Sequence, residues 1–220
     1  MSRLRHGYTN RTRRAGPGLI EKRYDGPDAR DRLEREHACL TRLAGRLPLP
    51  EVLGLDPSGP TLLLREARGA HGQDLIEAGH AGDVLRGLGA LHVRLRAIEP
   101  AAVPGLGGVG DVIVHGDFGP QNLLIDQETS TLLDWEFAHL GEPVEDLAWA
   151  EWIVRIHHPG HRDAIPELFR AAQLEVAWGH RHRAMVARCT DLLQGVEQSG
   201  PAESIELWRD RLRLTESWTE

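Results

Sequence analysis

Lysine is almost absent from this chain. Of its 26 Lys+Arg residues only Lys22 is lysine, and the other 25 are arginine. That leaves two explanations for Lys22: an accidental survivor of codon bias, or a site that needs a compact ammonium rather than a planar guanidinium. Long apolar runs are missing too. None approaches the ~20 residues of a membrane-spanning helix, so no membrane partner is expected. The basic start, MSRLRHGYTNRTRR, contains no apolar segment of the kind a secretory signal carries, so no export signal is expected either. Cysteine is limited to Cys39 and Cys189, far apart in helical-looking segments. Two buried free thiols in a reducing cytoplasm are the expected reading. Internal repeats and low-complexity tracts are absent.

What is present suits a folded protein with a real core. The chain has 220 residues, 40% hydrophobic and 27% charged, enough for one domain or two small lobes. Its charge is uneven. Residues 1–50 hold 12 Lys+Arg against 6 Asp+Glu, and the remainder 14 against 27, so the balances are +6 and −13. This argues against a nucleic-acid partner bound along one continuous basic face. It suits a first part that meets an anion and a second that meets a cation, although solvated surface charge would explain it nearly as well.

Residues 5–25 read as two strands around a Gly-Pro-Gly turn. Residues 28–45 read as a helix that Asp28 caps and Gly45 ends, with Leu33, His37, Leu40 and Leu43 on one face. Two more strands follow, so the first third is β-β-α-β-β. A hinge is expected at ARGAHG, residues 67–72. Beyond it Val84, Leu85, Leu88, Leu91, Leu95 and Ile98 recur at helical spacing. NLLID and TLLDWE read as a hairpin, and residues 143–218 as mostly helical, with breaks near HHPG and QSGP.

The chemistry concentrates in VHGDFGPQNLLID and LLDWE. Asp117 precedes Asn122 by five residues, and Asp134 lies twelve further on, after an apolar strand. An acid to orient or deprotonate a hydroxyl, with an amide oxygen and a second carboxylate for Mg²⁺, is an apparatus for phosphoryl transfer. The hairpin would bring Asn122 and Asp134 to adjacent mouths.

HGDFGPQN followed by LLDWE resembles the aminoglycoside phosphotransferase/choline kinase family of small-molecule kinases. The resemblance extends back through GYTNRT, EKRY and REHACLTRLAG and forward to GEPVEDLAW, over roughly residues 5–152. It implies an α+β, bilobal, protein-kinase-like fold: a small antiparallel-sheet nucleotide-binding lobe, residues 1–68, and a mainly helical catalytic and acceptor-binding lobe, residues 69–220. It implies ATP and Mg²⁺ as cofactors, and transfer of the γ-phosphoryl group to a hydroxyl of a small, aminoglycoside-, choline- or amino-alcohol-like acceptor, a cationic one included. A nucleotide-binding pseudokinase with a regulatory role is the alternative.

By the same resemblance Asp117 is the catalytic base, and Asn122 and Asp134 hold Mg²⁺. Lys22 contacts the α/β-phosphates and is fixed by Glu36, with Glu34 as competitor. Gly7, Thr9 and Asn10 lie over the phosphates. Asp146 steadies the catalytic turn, and His115 holds it by hydrogen bonding. Glu136, two residues after Asp134, points the same way if the segment is extended, and serves either a second metal or a backbone amide.

Two departures from protein kinases favour a small acceptor. Position 116 is Gly rather than a phosphate-gripping Arg, and only eleven residues separate Asp134 from Asp146. Trp149 and Trp152, three apart, read first as core packing and second as a wall for a cation. Glu142, Glu145 and Glu151 form an acidic segment that either attracts an amine or is solvated. His157, His158, His161, His180 and His182 lack metal-site spacing and read as polar helix ends. If Lys22 faces phosphate, Lys22→Arg should impair phosphoryl transfer in a steady-state kinase assay; a survivor of codon bias would tolerate the change.

Overall fold

The computed structural model describes residues 10–26, 28–56, 59–127 and 129–220. Strand alternation arranges the first hairpin. In β1 (Asn10–Gly16) and β2 (Leu19–Tyr24), Lys22 and Tyr24 are buried and Arg23 between them is exposed. This is the two-residue period of a strand, so both side chains face the same interior. α1 (Ala29–Arg42) lays Leu33, Glu36 and Leu40 against that face. β3 (Val52–Asp56) and β4 (Thr61–Arg65) complete an antiparallel sheet in the order β1-β2-β4-β3.

The expected β-β-α-β-β order is present, with α1 differing at both ends. Asp28 occupies the N-cap position but makes no side-chain cap hydrogen bond. Its backbone (φ −94°, ψ 17°) is not in the extended conformation that aims a cap oxygen at the first turn. The helix stops at Arg42 rather than running on to Gly45.

The chain then leaves the first sheet. β5 (Ala70–His71) joins a second sheet, ahead of α2 (Gly72–Glu77) and α3 (Ala81–Arg96). β6 (Val112–Val114), β7 (Leu123–Asp126), β8 (Thr129–Leu132) and β9 (His139–Gly141) build two small sheets, β5-β7-β8 and β6-β9. β7 and β8 are the expected hairpin, with Leu123 opposite Leu132. α4 (Pro143–His157), α5 (Ile165–Ala172), α6 (Trp178–Ser199) and α7 (Ala202–Glu216) follow. This is the α+β architecture expected, an antiparallel-sheet region followed by a helical one. Among the described residues, no helix is long and apolar enough to cross a membrane.

One apolar cluster runs from Tyr24 and Leu62 through Val84, Leu88 and Leu95 of α3 to Leu168 of α5. A second joins Trp149 and Trp152 of α4 to Met185 and Cys189 of α6, with Trp208 of α7 packed against it. Cys39 and Cys189 are both buried and free. Gly89 lets α3 and α5 touch: a Cβ there would lie 2.4 Å from the Leu168 carbonyl oxygen and 2.7 Å from Ala171 Cβ. Alanine in a helix interior normally gains up to ~1 kcal/mol over glycine. At this contact overpacking should dominate, so Gly89→Ala should destabilise by about 1–3 kcal/mol, measured by urea unfolding.

Candidate active site

The lone lysine is at the centre. Lys22 Nζ donates to Glu36 Oε2 at 2.5 Å and to Asp134 Oδ1 at 2.6 Å. Tyr24, on the same strand face, donates its hydroxyl to the same Glu36 oxygen at 2.6 Å. Burial alone would depress the ammonium's pKa; the charges of Asp134 and Glu36 outweigh it and hold Lys22 above its ordinary value. The competitor Glu34 points outward, 4.0 Å from Arg30, with 66% of its side chain exposed. Gly7 and Thr9 lie outside the described residues. Asn10 lines the cleft beside Lys22, but its polar atoms are engaged: its amide donates to Glu136 at 2.8 Å and its oxygen accepts from Arg32 at 3.0 Å.

The catalytic turn is built from backbone groups that must be satisfied once buried. Asp146, at the start of α4, accepts from the N–H groups of His115 (2.8 Å) and Gly116 (3.1 Å). Burial pushes its carboxyl up to about 7, against the pull of those two donors. His115 is fully buried, and burial pushes its pKa down to about 4, so the ring is neutral. Nε2 bonds the Leu133 carbonyl at 2.8 Å and therefore carries the proton; Nδ1 accepts from the Asp117 N–H at 3.2 Å. Gly116 has φ 82°, and a Cβ there would fall 2.2 Å from the Phe137 carbonyl oxygen. Glycine at 116 is thus a steric requirement of this turn as well as the absence of an arginine.

Leu133 is held at both ends, its N–H on Asn122 O at 2.8 Å and its carbonyl on His115. The strand stops at Leu132, and Asp134 takes a left-handed conformation, φ 65°. The extended geometry expected from Asp134 to Glu136 is therefore absent. The turn still brings carboxylate oxygens of Glu36, Asp134 and Glu136 within 4.8 Å of one another. Glu136 is fully buried and accepts from Asn10 and from Arg32 Nη1, each at 2.8 Å. Arg35 Nη1 adds a bond to the Glu136 carbonyl at 2.6 Å. Two arginines of α1 thus clamp this segment to the first sheet's helix.

Asp117 accepts three side-chain donors: Trp149 Nε1 (2.9 Å) and Gln121 Nε2 (3.1 Å) on Oδ1, and Asn122 Nδ2 (2.8 Å) on Oδ2. Burial and the charge of Asp134 push its carboxyl up to about 6, while the Trp149 and Asn122 bonds pull it down. The second Asn122 N–H goes to the Asp117 carbonyl at 2.8 Å, which leaves the amide oxygen for another partner. Asn122 and Asp134 both line a cleft of about 300 Å³ together with Lys22, Glu36, Leu64 and Ala67. An amide oxygen and a carboxylate oxygen are hard donors of the kind Mg²⁺ takes, so the residues fit that ion.

A second cleft, about 550 Å³, is lined by Gly116, Glu142, Glu145, Trp149, Arg188 and Asp191, among others. Asp117 is bonded to Gln121 and Asn122, which line the first cleft, and to Trp149, which lines the second.

Several sequence expectations need correction here. Trp149 is buried and stacked on Trp152, yet it is also a donor to Asp117, which neither a packing role nor a cation wall anticipated. Its spacing held the signal, because Trp149 is one helical turn beyond Asp146. The acidic segment has partners within the protein, while Glu142 and Glu145 remain in the lining of the second cleft. Glu145 accepts from the Glu142 N–H at 2.6 Å and meets His139 at 2.9 Å. Glu142 meets His180 at 3.1 Å, and Glu151 is buried between Arg155 and Arg181, each at 2.8 Å. His182 bonds the Thr215 carbonyl at 2.7 Å.

The model of the phosphotransferase enzyme family (APH) matches residues 1–108 and 108–184. The chain belongs to this family. No curated protein matches the sequence significantly. Solved structures with the same fold include a choline/ethanolamine kinase family protein from Mesorhizobium loti, 18% identical, TM-score 0.74, covering 98% of this chain and 86% of that one. The GDP and kanamycin complex of APH(2")-IIia is 13% identical, TM-score 0.78, with 98% and 92% covered. Macrolide 2'-phosphotransferase MphH from Brachybacterium faecium is 17% identical, TM-score 0.69, with 100% and 93% covered.

The clamp on the Asp134–Glu136 segment is open to measurement. Arg32→Ala would remove the ion pair that the buried Glu136 carboxylate makes at 2.8 Å. Urea unfolding should show a loss of about 3–5 kcal/mol.

Proposed function

We propose that the chain transfers the γ-phosphoryl group of ATP to a hydroxyl of a small molecule of aminoglycoside, choline or amino-alcohol type, with Mg²⁺ as cofactor. One observation carries the reading. The lone lysine, two candidate magnesium ligands and the half-buried carboxylate of Asp117 converge on one cleft and its wall in a member of a phosphotransferase family. The complexes with GDP and kanamycin known for a protein of the same fold support nucleotide and amine-bearing acceptor classes. A pseudokinase would not need the acid, amide and second acid all in place.

Division of labour follows from position. The cleft holding Lys22 takes the nucleotide, and Lys22 offsets phosphate charge as a point cation. The second cleft takes the acceptor. Asp117, bonded to lining residues of both, orients the acceptor hydroxyl and receives its proton. Asn122 and Asp134 would hold Mg²⁺, which supplies charge neutralisation on the phosphate oxygens. Fixed charges and hydrogen bonds in a partly dry site do most of the work, because they need no reorganisation as charge develops. The lobe boundary proposed at 68/69 is supported by the chain's passage from the first sheet, which ends at Arg65, to the second, which begins at Ala70.

The test is a screen for ADP release from Mg-ATP with kanamycin, choline, sugars and amino alcohols, repeated with GTP. Asp117→Ala should retain nucleotide binding by thermal shift and lose transfer, whereas Asp134→Ala should weaken Mg-ATP binding. Normal turnover in Asp117→Ala would sink the assignment. Because a base must be deprotonated, turnover should fall as pH drops through an acid limb at or below about 6; Mg²⁺ beside Asp134 would cancel part of the charge that raises Asp117.

A further inference from the structure

A carboxylate has two oxygens and about four lone-pair sites. Trp149 and Gln121 both donate to Oδ1 of Asp117, and Asn122 donates to Oδ2. Oδ1 is therefore saturated, and Oδ2 keeps one free acceptor direction. The Gln121 side chain is itself committed, because its Nε2 also donates to the Asp117 carbonyl at 3.3 Å.

The Trp149 indole is held from two sides. It stacks on Trp152 with centroids 4.4 Å apart and planes at 8°, and Trp152 stacks on Trp208 of α7 at 5.7 Å and 16°. Trp152 is fixed in turn by its N–H bond to Thr215 Oγ1 at 2.8 Å. On another side the Arg188 guanidinium of α6 lies 5.7 Å from the Trp149 ring centre and donates to the Gly116 carbonyl at 2.8 Å. Aromatic stacking sets ring planes as well as adding stability. The N–H direction of Trp149 is thus set by the two C-terminal helices.

Resting on the assignment of Asp117 as base, we propose that Trp149 is a positioning residue: its indole N–H, with Gln121, occupies Oδ1 and leaves Oδ2 as the atom that meets the acceptor hydroxyl. In the transfer step the acceptor O–H gives its proton to Oδ2 and its oxygen bonds the γ-phosphorus. The bond from that phosphorus to the β,γ-bridging oxygen breaks, and its electron pair leaves with ADP. Trp149 touches none of these atoms. Without its N–H the carboxylate could turn and present either oxygen, so fewer encounters would start from the reactive geometry.

Trp149→Phe keeps an aromatic ring in the stack and deletes the donor, together with the second ring of the indole. With the full chain, Mg-ATP, and water, kanamycin and choline as probe acceptors, it should lower kcat roughly 10- to 100-fold. KM for Mg-ATP should stay within about twofold, because the nucleotide cleft is untouched. In an Asp117→Asn background the same change should add little, since residues acting through one another are non-additive. Unchanged kcat in Trp149→Phe, or a rise in KM that accounts for the whole loss, would overturn the role. Turnover that survives Asp117→Ala refutes the proposed function instead. The hydrogen bond also has a direct reading: the indole N–H proton resonance removed by Trp149→Phe should move upfield in Asp117→Leu. A resonance that does not move would show that the bond is absent.

Discussion

A buried ammonium between two carboxylates organises this molecule. Lys22 comes from β2, Glu36 from α1 and Asp134 from the turn after β8, so one charge ties the first sheet, its helix and the catalytic segment together. Taking these groups out of water is costly, and only close geometry with further hydrogen bonds offsets that cost. Tyr24 supplies one of those bonds, on the face that strand alternation assigns it. The site suits a compact ammonium, which donates to Glu36 and Asp134 at once without forming a bidentate pair. A guanidinium would bind a carboxylate as a planar fork, a geometry this narrow meeting point does not use.

Around this centre the catalytic turn is held by saturating its own backbone. Asp146 takes two N–H groups, neutral His115 takes a carbonyl and returns an acceptor, and Leu133 is bonded at both ends. These contacts let Asp134 stay in a left-handed conformation and Gly116 stay against Phe137. Backbone strain of the kind at Asp134, of order 1–3 kcal/mol, persists only where neighbours over-determine it, whereas glycine at 116 takes its positive φ without that cost. Arginine does the remaining ionic work. Arg32 on Glu136, and Arg155 and Arg181 on Glu151, are buried pairs in which planar, many-donor cations are well matched to carboxylates.

Much of this was legible in the chain. Periodicity carried the order β-β-α-β-β, the helix over residues 81–96 and the β7–β8 hairpin, because each reflects one buried face read at a fixed spacing. HGD-x₄-N and LLDWE carried the family, and the lone lysine marked a buried position where two carboxylates meet it. What stayed hidden was partnership. Nothing in EPVEDLAW says that Glu142 and Glu145 bond to each other at the start of α4 or that each meets a histidine. Glu151 likewise has nothing local to announce two arginines. Asp28 had the composition of a cap without the backbone conformation that makes one.

The sequence alone determined the main elements, the family and a set of candidate polar groups, because local pattern and residue chemistry suffice for these. Tertiary structure decided which of those groups meet. It turned Glu36 inward and Glu34 outward, gave Glu136 to Arg32, and brought an indole from α4 onto Asp117, held there by α6 and α7. Such pairings depend on the three-dimensional convergence of distant segments under the demand that every buried polar group find a partner. That demand is a property of the packed interior, and spacing along the chain does not express it.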